Sequence, residues 1–399
     1  TLYENDGTPL SWDTSRFDAD TNTGTITDKN DLWVADLDGD GYLDIILGND
    51  DTQLIIYQND GTPFSGLWNN ITIDTIGQPA GIVSVAAADL DNDKDIDIII
   101  GTESLAGRDI YIYQNNGNPW SASNWTRSTV TLDNGGDVDY LSIGDLNQDG
   151  YPDIIATART ANDILWYEND GTPWDGGWTQ YTIDSDTGGY PNIVLVGDLD
   201  NDGDLDVISG SDGGNLIIYR NDNKASSWTE FAINTTEAGN VVSLALGDIN
   251  KDGYLDIVAG IESANQTIWY ENDGTPWDGG WTRYTIDSNT GDVPWSVQIA
   301  DIDYDSDPDI IAGTGGISDD IYWYENNGTN QNWNKITIDS APGGDVVALF
   351  VGDLDDDMNS NILDFYYNKT ENIEEGVDEF SGWDNLNAVS YTHLTLPTN

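Results

Sequence analysis

A nine-residue pattern, Asp-x-Asp-x-Asp-Gly-x-x-Asp, constrains this chain more than any other feature, because it recurs along the whole sequence. It opens at Asp36 as DLDGDGYLD and returns as DLDNDKDID from Asp89, DLNQDGYPD from Asp145 and DLDNDGDLD from Asp198. It continues as DINKDGYLD from Asp248, DIDYDSDPD from Asp301 and DLDDDMNSN from Asp353. Successive starts lie 53, 56, 53, 50, 53 and 52 residues apart. Self-similarity at a fixed period of about this length marks a repeat architecture, in which each unit buries its apolar face against its neighbours.

A second motif keeps step with the first. LYENDGTPLSW begins at Leu2, and its kin include IYQNDGTPFSGLW, WYENDGTPWDGGW and WYENNGTNQNW, with shared tyrosines at Tyr3, Tyr57, Tyr113, Tyr167, Tyr219, Tyr270 and Tyr324. Asn-Asp-Gly after an alternating apolar run predicts a positive-φ turn between paired strands. Each unit then reads as four short strands, exemplified by LWVADL, YLDIILG, QLIIYQN and NNITIDT. Val, Ile, Leu and Tyr dominate these runs, and no apolar stripe of helical period and length appears. Four strands per repeat predict the blade of a β-propeller. The first residues supply only the second half of a unit, and the last acidic loop is followed only by NILDFYYN before the rhythm fails. Six complete blades and two terminal halves predict an all-β, seven-bladed propeller of four-stranded antiparallel blades, closed by its own ends. Closure removes the exposed sheet edges that would otherwise pair with other chains. The propeller is expected over residues 1–366. Residues 367–399 read as an irregular tail that carries no repeat, holds the only histidine, His393, and ends in SYTHLTLPTN, which resembles translated sequencing-adapter material.

The spacing of the acidic pattern points to a cation. Side chains at positions one, three and five converge when the chain curls tightly; position nine returns from the following strand, and position seven offers its backbone carbonyl. Six to eight oxygen ligands in flexible geometry suit Ca2+, whereas Mg2+ demands a tighter octahedron and Zn2+ prefers imidazole or thiolate. An EF-hand would need an acid at position twelve and flanking helices, but the twelfth residue from Asp36 is Leu47, inside an apolar run. Up to seven ions are therefore expected. The candidate ligands are Asp36, Asp38, Asp40, Tyr42 and Asp44, then Asp89, Asp91, Asp93, Asp95 and Asp97. The third and fourth sets are Asp145, Asn147, Asp149, Tyr151 and Asp153, and Asp198, Asp200, Asp202, Asp204 and Asp206. The fifth and sixth are Asp248, Asn250, Asp252, Tyr254 and Asp256, and Asp301, Asp303, Asp305, Asp307 and Asp309; the last is Asp353, Asp355 and Asp357. Position six favours positive φ, which Gly41, Gly150, Gly203 and Gly253 supply at little cost; Lys94, Ser306 and Met358 replace glycine elsewhere. The loops at Asp36 and Asp198 are expected to be strongest. The seventh, with Met358 at position six and Asn361 at position nine, is expected to be weakest.

Composition narrows the partners. The formal charge is −61, carried by 61 Asp and 12 Glu against 12 Lys plus Arg. Asp and Gly are poor helix formers, so this acidity belongs to turns and ligand loops rather than to helix surfaces. Such a surface repels nucleic-acid phosphates and anionic lipid headgroups, and no run of 18 apolar residues inserts into a membrane. With no cysteine, thiolate sites and disulfides are excluded. A Ser-His-Asp triad lacks its histidine, apart from His393 in the tail. Almost every prominent aspartate belongs to a repeated loop, so a non-catalytic role is expected.

These units resemble FG-GAP repeats of the VCBS type, related to the propeller of integrin α subunits: DLDGDGYLDIILG matches that family's calcium loop and WYENDGTPW its outer hairpin. The resemblance covers about residues 1–366. It implies calcium between the first two strands of each blade at the propeller rim, an extracellular or cell-surface setting, and work in adhesion or ligand binding, with a protein or glycan as ligand. Departures at Lys94, Met358 and Asn361 concern only their own loops. Two alternatives stay open, a carbohydrate-binding propeller lectin and a calcium-dependent polysaccharide lyase or glycosidase. Trp120, Trp174, Trp178, Trp277 and Trp281 bear on the first, because they flank Gly- and Pro-rich turns where a ring can stack on a sugar or fill a seam between blades. Asn-x-Ser/Thr sequons at Asn70, Asn124, Asn234, Asn265, Asn327 and Asn368 are compatible with surface glycosylation.

Overall fold

The computed structural model describes residues 1–5, 12–15, 31–49, 52–64, 68–76, 80–104, 110–131, 138–234, 239–316, 319–328, 333–340, 344–357 and 360–367. They form seven four-stranded antiparallel sheets, the blades of a seven-bladed propeller. Blade 1 is built from Asp31–Ala35, Asp44–Gly48, Gln53–Gln58 and Asn69–Thr75, paired in chain order. The same order recurs to blade 6, whose strands run from Val293 to Ser340. Blade 7 is assembled from both ends: Asp345–Gly352 pairs with Asn361–Tyr367, which pairs with Leu2–Asn5, which pairs with Trp12–Ser15. In the closing register Leu2 faces Leu363 and Tyr3 faces Ile362. The expected closure by two half-blades is what the structure has. Met358, Asn368 and His393 lie outside the described residues.

Burial grades across each blade. The second strand of blade 1, Asp44–Gly48, is buried at every position, because neighbouring blades cover both of its faces. The fourth strand, Asn69–Thr75, alternates exposed and half-buried residues around one buried isoleucine. The core therefore lies between blades as well as within them: one apolar cluster joins Ile46 and Ile56 of blade 1 to Val85, Ile98 and Tyr113 of blade 2. Glycine permits the close approach at these seams. A Cβ on Gly101 would stand 2.7 Å from Val138 of the next blade. Among the described residues no helix is long and apolar enough to cross a membrane.

Two polar ladders stitch the same seams. The shared tyrosines of the third strands are fully buried, and four of them donate their hydroxyls to the outer strand of the preceding blade. Tyr113 donates to Asp74 at 3.1 Å, Tyr219 to Asp184 at 2.8 Å, Tyr324 to Asp287 at 3.0 Å and Tyr3 to Asp339 at 3.0 Å. The hairpin asparagine that follows each tyrosine makes a complete ring. Asn59 donates from Nδ2 to the Leu354 carbonyl at 2.7 Å, Asn115 to Leu37 at 3.1 Å, Asn169 to Leu90 at 2.9 Å and Asn221 to Leu146 at 2.8 Å. Asn272 donates to Leu199 at 2.8 Å, Asn326 to Ile249 at 3.3 Å and Asn5 to Ile302 at 3.0 Å. Every acceptor is position two of the acidic loop on the preceding blade. A buried amide hydrogen bond contributes about 0.5–1.5 kcal/mol net, and losing one partner costs more. The ring therefore ties the acidic loops to the closure of the whole propeller.

Candidate metal-binding loops

Each acidic loop connects the first and second strands of its blade, so all seven lie at one rim. In the loop from Asp36, both carboxylate oxygens of the first aspartate turn back onto the chain. Oδ1 accepts the N–H groups of Gly39 and Asp40 at 2.8 and 3.1 Å, and Oδ2 accepts that of Gly41 at 2.9 Å. Asp40 in turn accepts the Tyr42 N–H at 2.9 Å. The curl needs two left-handed residues. Position six is one, at φ 97° in Gly41 and also at φ 80° in Lys94 and 73° in Ser306, so these two non-glycine loops keep the same turn. Position four is the other, and the sequence reading missed it: Gly39, Asn92, Gln148, Asn201, Lys251, Tyr304 and Asp356 all have φ between 58° and 73°.

Position nine is the buried anchor. Asp44, Asp97, Asp153, Asp206, Asp256 and Asp309 are at most 1% exposed, and Asn361 stands in the same place in blade 7. Each aspartate accepts the N–H of loop position two on one oxygen and that of the hairpin asparagine on the other, as Asp97 does from Leu90 at 3.0 Å and Asn115 at 2.9 Å. Desolvation pushes these carboxyls up, to about 8 in Asp44, Asp97 and Asp206 and to about 7 in Asp153, Asp256 and Asp309. The two N–H bonds oppose the rise, and the loop's other carboxylates add to it. Asn361 keeps half of this arrangement, accepting the Asn5 N–H at 3.1 Å and donating to Asp355 at 3.0 Å.

Among the described residues, five loops bring three carboxylates close enough for their ligand oxygens to lie within 4.8 Å of one another. These are Asp36, Asp38 and Asp40; Asp89, Asp91 and Asp97; Asp198, Asp200 and Asp206; Asp301, Asp303 and Asp309; and Asp353, Asp355 and Asp357. In the loops from Asp145 and Asp248 an asparagine stands at position three, and its amide donates to a glutamate on the third strand. Asn147 reaches Glu168 at 3.2 Å and Asn250 reaches Glu271 at 3.0 Å. Where position three is aspartate in blades 1 and 2, glutamine occupies that strand position and donates instead, Gln58 to Asp38 at 3.3 Å and Gln114 to Asp91 at 3.2 Å. Glu168 and Glu271 were absent from the sequence-derived ligand set, although the Asp–Gln and Asn–Glu exchange is written in the repeats.

Two position-seven aspartates, Asp204 and Asp307, tie their loops to the preceding one along the rim. Asp204 accepts from Gln148 of the preceding loop at 2.7 Å, and Asp307 pairs with Lys251 of the preceding loop. Asn92 reaches the Gly150 carbonyl at 3.0 Å and Asn201 that of Gly253 at 2.8 Å, so position four of one loop clasps the next. Where position seven is tyrosine, its ring lies over the hairpin glycine; a Cβ on Gly61 would meet Tyr42 at 2.6 Å. The backbone carbonyl of position seven thus belongs to a residue fixed by packing.

The donor set fits a hard cation. It is all oxygen, it recurs with the same curl, and Asp301 carries a buried Oδ1 that meets no hydrogen-bond donor. Buried carboxylate oxygens without partners are costly, and an ion among them supplies the missing counter-charge. The tryptophans stand at seams. Trp120, Trp174 and Trp277 pack against the clusters between blades 1 and 2, 2 and 3, and 4 and 5. Trp178 and Trp281 donate to Pro173 and Pro276 within their own hairpins at 3.0 Å.

Comparison with known proteins agrees with this geometry. The model of the FG-GAP-like repeat matches residues 36–100, 145–209 and 198–259. Mouse integrin alpha-7 is 37% identical over 82 residues, which are 19% of this chain and 7% of that protein, and human integrin alpha-6 is 38% identical over 80 residues, 18% of this chain and 7% of that one. The matched segment is thus a small part of those relatives. Among solved structures, a chain from the crystal structure of BBS1N in complex with ARL6DN, soaked with lead, superposes with a TM-score of 0.57 at 14% identity, over 87% of this chain and 92% of that one. A chain of the Mitotic Checkpoint Complex gives 0.52 at 13% identity, over 89% and 99%. At these identities the likeness is one of fold.

Proposed function

We propose that this chain, an FG-GAP-repeat β-propeller similar in part to integrin α chains, is a calcium-stabilised ligand-binding module that works outside the cell. The observation that carries the reading is the repeated gathering of three carboxylates at one rim, in loops whose remaining groups are already committed to the fold. Bound Ca2+ would neutralise those carboxylates. The chain's own part is to present positions one and three, with position five in two loops and position nine in three, from a curl set by two left-handed residues and anchored at position nine against the hairpin asparagine. Because that asparagine clamps the loop before it, each filled loop would stiffen a seam. The calcium is structural in this account. External calcium is abundant, so sites as weak as about 10⁻⁴–10⁻³ M would serve. The likeness to integrin α chains favours a protein ligand at the cell surface. Binding rather than catalysis is the role, since the carboxylate groupings follow the repeat instead of breaking it.

Thermal melts in calcium and in chelator test the reading. An ion that binds only the folded state adds about 2.7 kcal/mol per site at a hundredfold excess over Kd, so the melting temperature is expected to rise with calcium. An unchanged melting temperature, together with no protein-bound calcium after dialysis, overturns it. A glycan array with an assay for new reducing or unsaturated ends separates the ligand classes: sugar binding without cleavage would make the module a lectin, and cleavage would make it an enzyme.

A further inference from the structure

We infer that Trp120, Trp174 and Trp277 are positioning residues for cation binding in the loop of the blade before their own; this rests on the calcium reading above. Each indole N–H donates to Oδ2 of a position-three aspartate across the seam at 2.6 Å: Trp120 to Asp38, Trp174 to Asp91 and Trp277 to Asp200. Oδ1 of Asp91 and of Asp200 is left on the loop side, 3.2 Å from its own position-five N–H. The indole thereby fixes the rotation of the carboxylate and occupies the oxygen that faces away from the loop. Partners that hold a ligand's second atom orient the first, and removing them typically costs about 10–100-fold in metal affinity.

The repeat supplies its own control. Each of these hairpins carries a second tryptophan, Trp125, Trp178 or Trp281, whose N–H goes to a proline carbonyl inside the hairpin at 2.9–3.0 Å. One indole of each pair closes the turn, and the other crosses to the neighbouring loop. No crossing indole meets an asparagine, although the position-three aspartates Asp303 and Asp355 have Leu10 and Phe64 rather than tryptophan at the equivalent place. All three face an aspartate. The hairpin after Asn147 has Ser226 at the equivalent place, five residues beyond its asparagine, and the hairpin after Asn250 has Gln331 there. An indole N–H can only donate, and the Asn147 and Asn250 amides are themselves donors to Glu168 and Glu271. A cation in the loops at Asp36, Asp89 or Asp198 would consequently be held by two blades at once.

The test compares two triple variants of the full chain by calorimetric calcium titration. In W120F/W174F/W277F the rings stay and the crossing N–H groups go; W125F/W178F/W281F removes the internal ones. The first is expected to weaken three of the ions about tenfold, with its melting temperature in chelator close to that of the parent, while the control keeps the parental isotherm. Equal isotherms for parent and crossing variant overturn the inference, as does an equal loss in both variants, which would be packing alone. If the parent itself takes up no calcium, it is the calcium reading that fails. Should the triple variant not fold, W174F alone is expected to weaken one ion, against W178F as its control; equal isotherms for those two overturn the inference in the same way.

Discussion

The loops from Asp89 and Asp145 sit on adjacent blades and share curl, buried anchor and hairpin clamp, yet they treat position three in opposite ways. Asp91 is an acceptor, held by Gln114 of its own blade at 3.2 Å and Trp174 of the next at 2.6 Å. Asn147 is a donor, held by Glu168 at 3.2 Å, and Glu168 is steadied by the Tyr181 hydroxyl at 3.0 Å. Tyr181 in turn stacks on Trp166, with ring centroids 4.5 Å apart. The pair Asp91–Gln114 and the pair Asn147–Glu168 carry the same formal charge. Blade 5 repeats the second solution with Asn250, Glu271 and Tyr284. In blades 1, 2, 3 and 5 the charge near the loop stays the same while its location moves from the loop to the strand; blades 4 and 6 depart from this, with Arg220 at the strand position that goes with Asp200 and Glu325 at the one that goes with Asp303. The first solution recruits the neighbouring blade, and the second keeps to its own.

What the two loops share should produce the largest effect when broken. Asp97→Ala and Asp153→Ala each strand two buried N–H donors, Leu90 with Asn115 and Leu146 with Asn169. Each stranded donor costs about 1–3 kcal/mol, so either variant is expected to lose several kcal/mol in urea unfolding, with or without calcium. The asparagine variants should lose less, because Asn361 already fills this position in blade 7 with one donor still satisfied. If the alanine variants unfold like the parent in chelator, position nine is a ligand only and not an anchor of the fold.

The architecture was legible because its signals are local and repeated. The period set the blade, the alternating apolar runs set the strands, and the half-units at Leu2 and Asn361 set the closure. The carboxylates of the loops were legible for the same reason. What escaped are contacts whose partners stand far apart in sequence, since Trp174 and Asp91 are 83 residues apart and Asn115 and Leu37 are 78 apart. A hairpin Asn-Asp-Gly is fully accounted for by its turn, so nothing local says that its amide also clamps a neighbouring loop. Position four escaped for a different reason. Only Gly39 advertises the left-handed conformation; elsewhere Asn, Gln, Lys, Tyr and Asp accept its strain, and four of them reach the next loop across the rim.

A second way to separate the two loops is pH in the absence of calcium. The folded carboxyl of Asp97 is raised to about 8 and that of Asp153 to about 7, from an unfolded value near 3.8, with desolvation leading in both. The folded chain thus binds more protons than the unfolded chain between these values, and stability falls as pH rises through the window. Unfolding midpoints in chelator are expected to decline from about pH 4 to about pH 8 and to level off above it. Calcium should flatten the slope, because the ion favours the ionised carboxylates. Asp97 lies beside Asp91 and Asp93, whereas Asp153 has Asp149. Asp97→Asn should therefore remove more of the slope above pH 7 than Asp153→Asn. A flat profile in chelator would contradict the buried, repelled state assigned to position nine.

The smallest effect tests whether position three and the third strand form one unit. Asn147→Asp alone sets a new carboxylate against Glu168 and removes the amide donor that Glu168 now accepts. Glu168→Gln alone leaves the Asn147 amide without its charged acceptor and the Tyr181 hydroxyl with a weaker one. Together the two changes rebuild the Asp–Gln pairing seen in blades 1 and 2, at the same formal charge. A double-mutant cycle in chelator is expected to show a favourable coupling of about 1 kcal/mol, with both single variants less stable than the double. The crossing indole should still be lacking, because Ser226 stands where blade 3 has Trp174. On that account the rebuilt loop should regain stability without reaching the calcium affinity of the loop at Asp89. Simple additivity would mean that strand and loop are independent, and that the Asp–Gln and Asn–Glu pairings record no shared constraint.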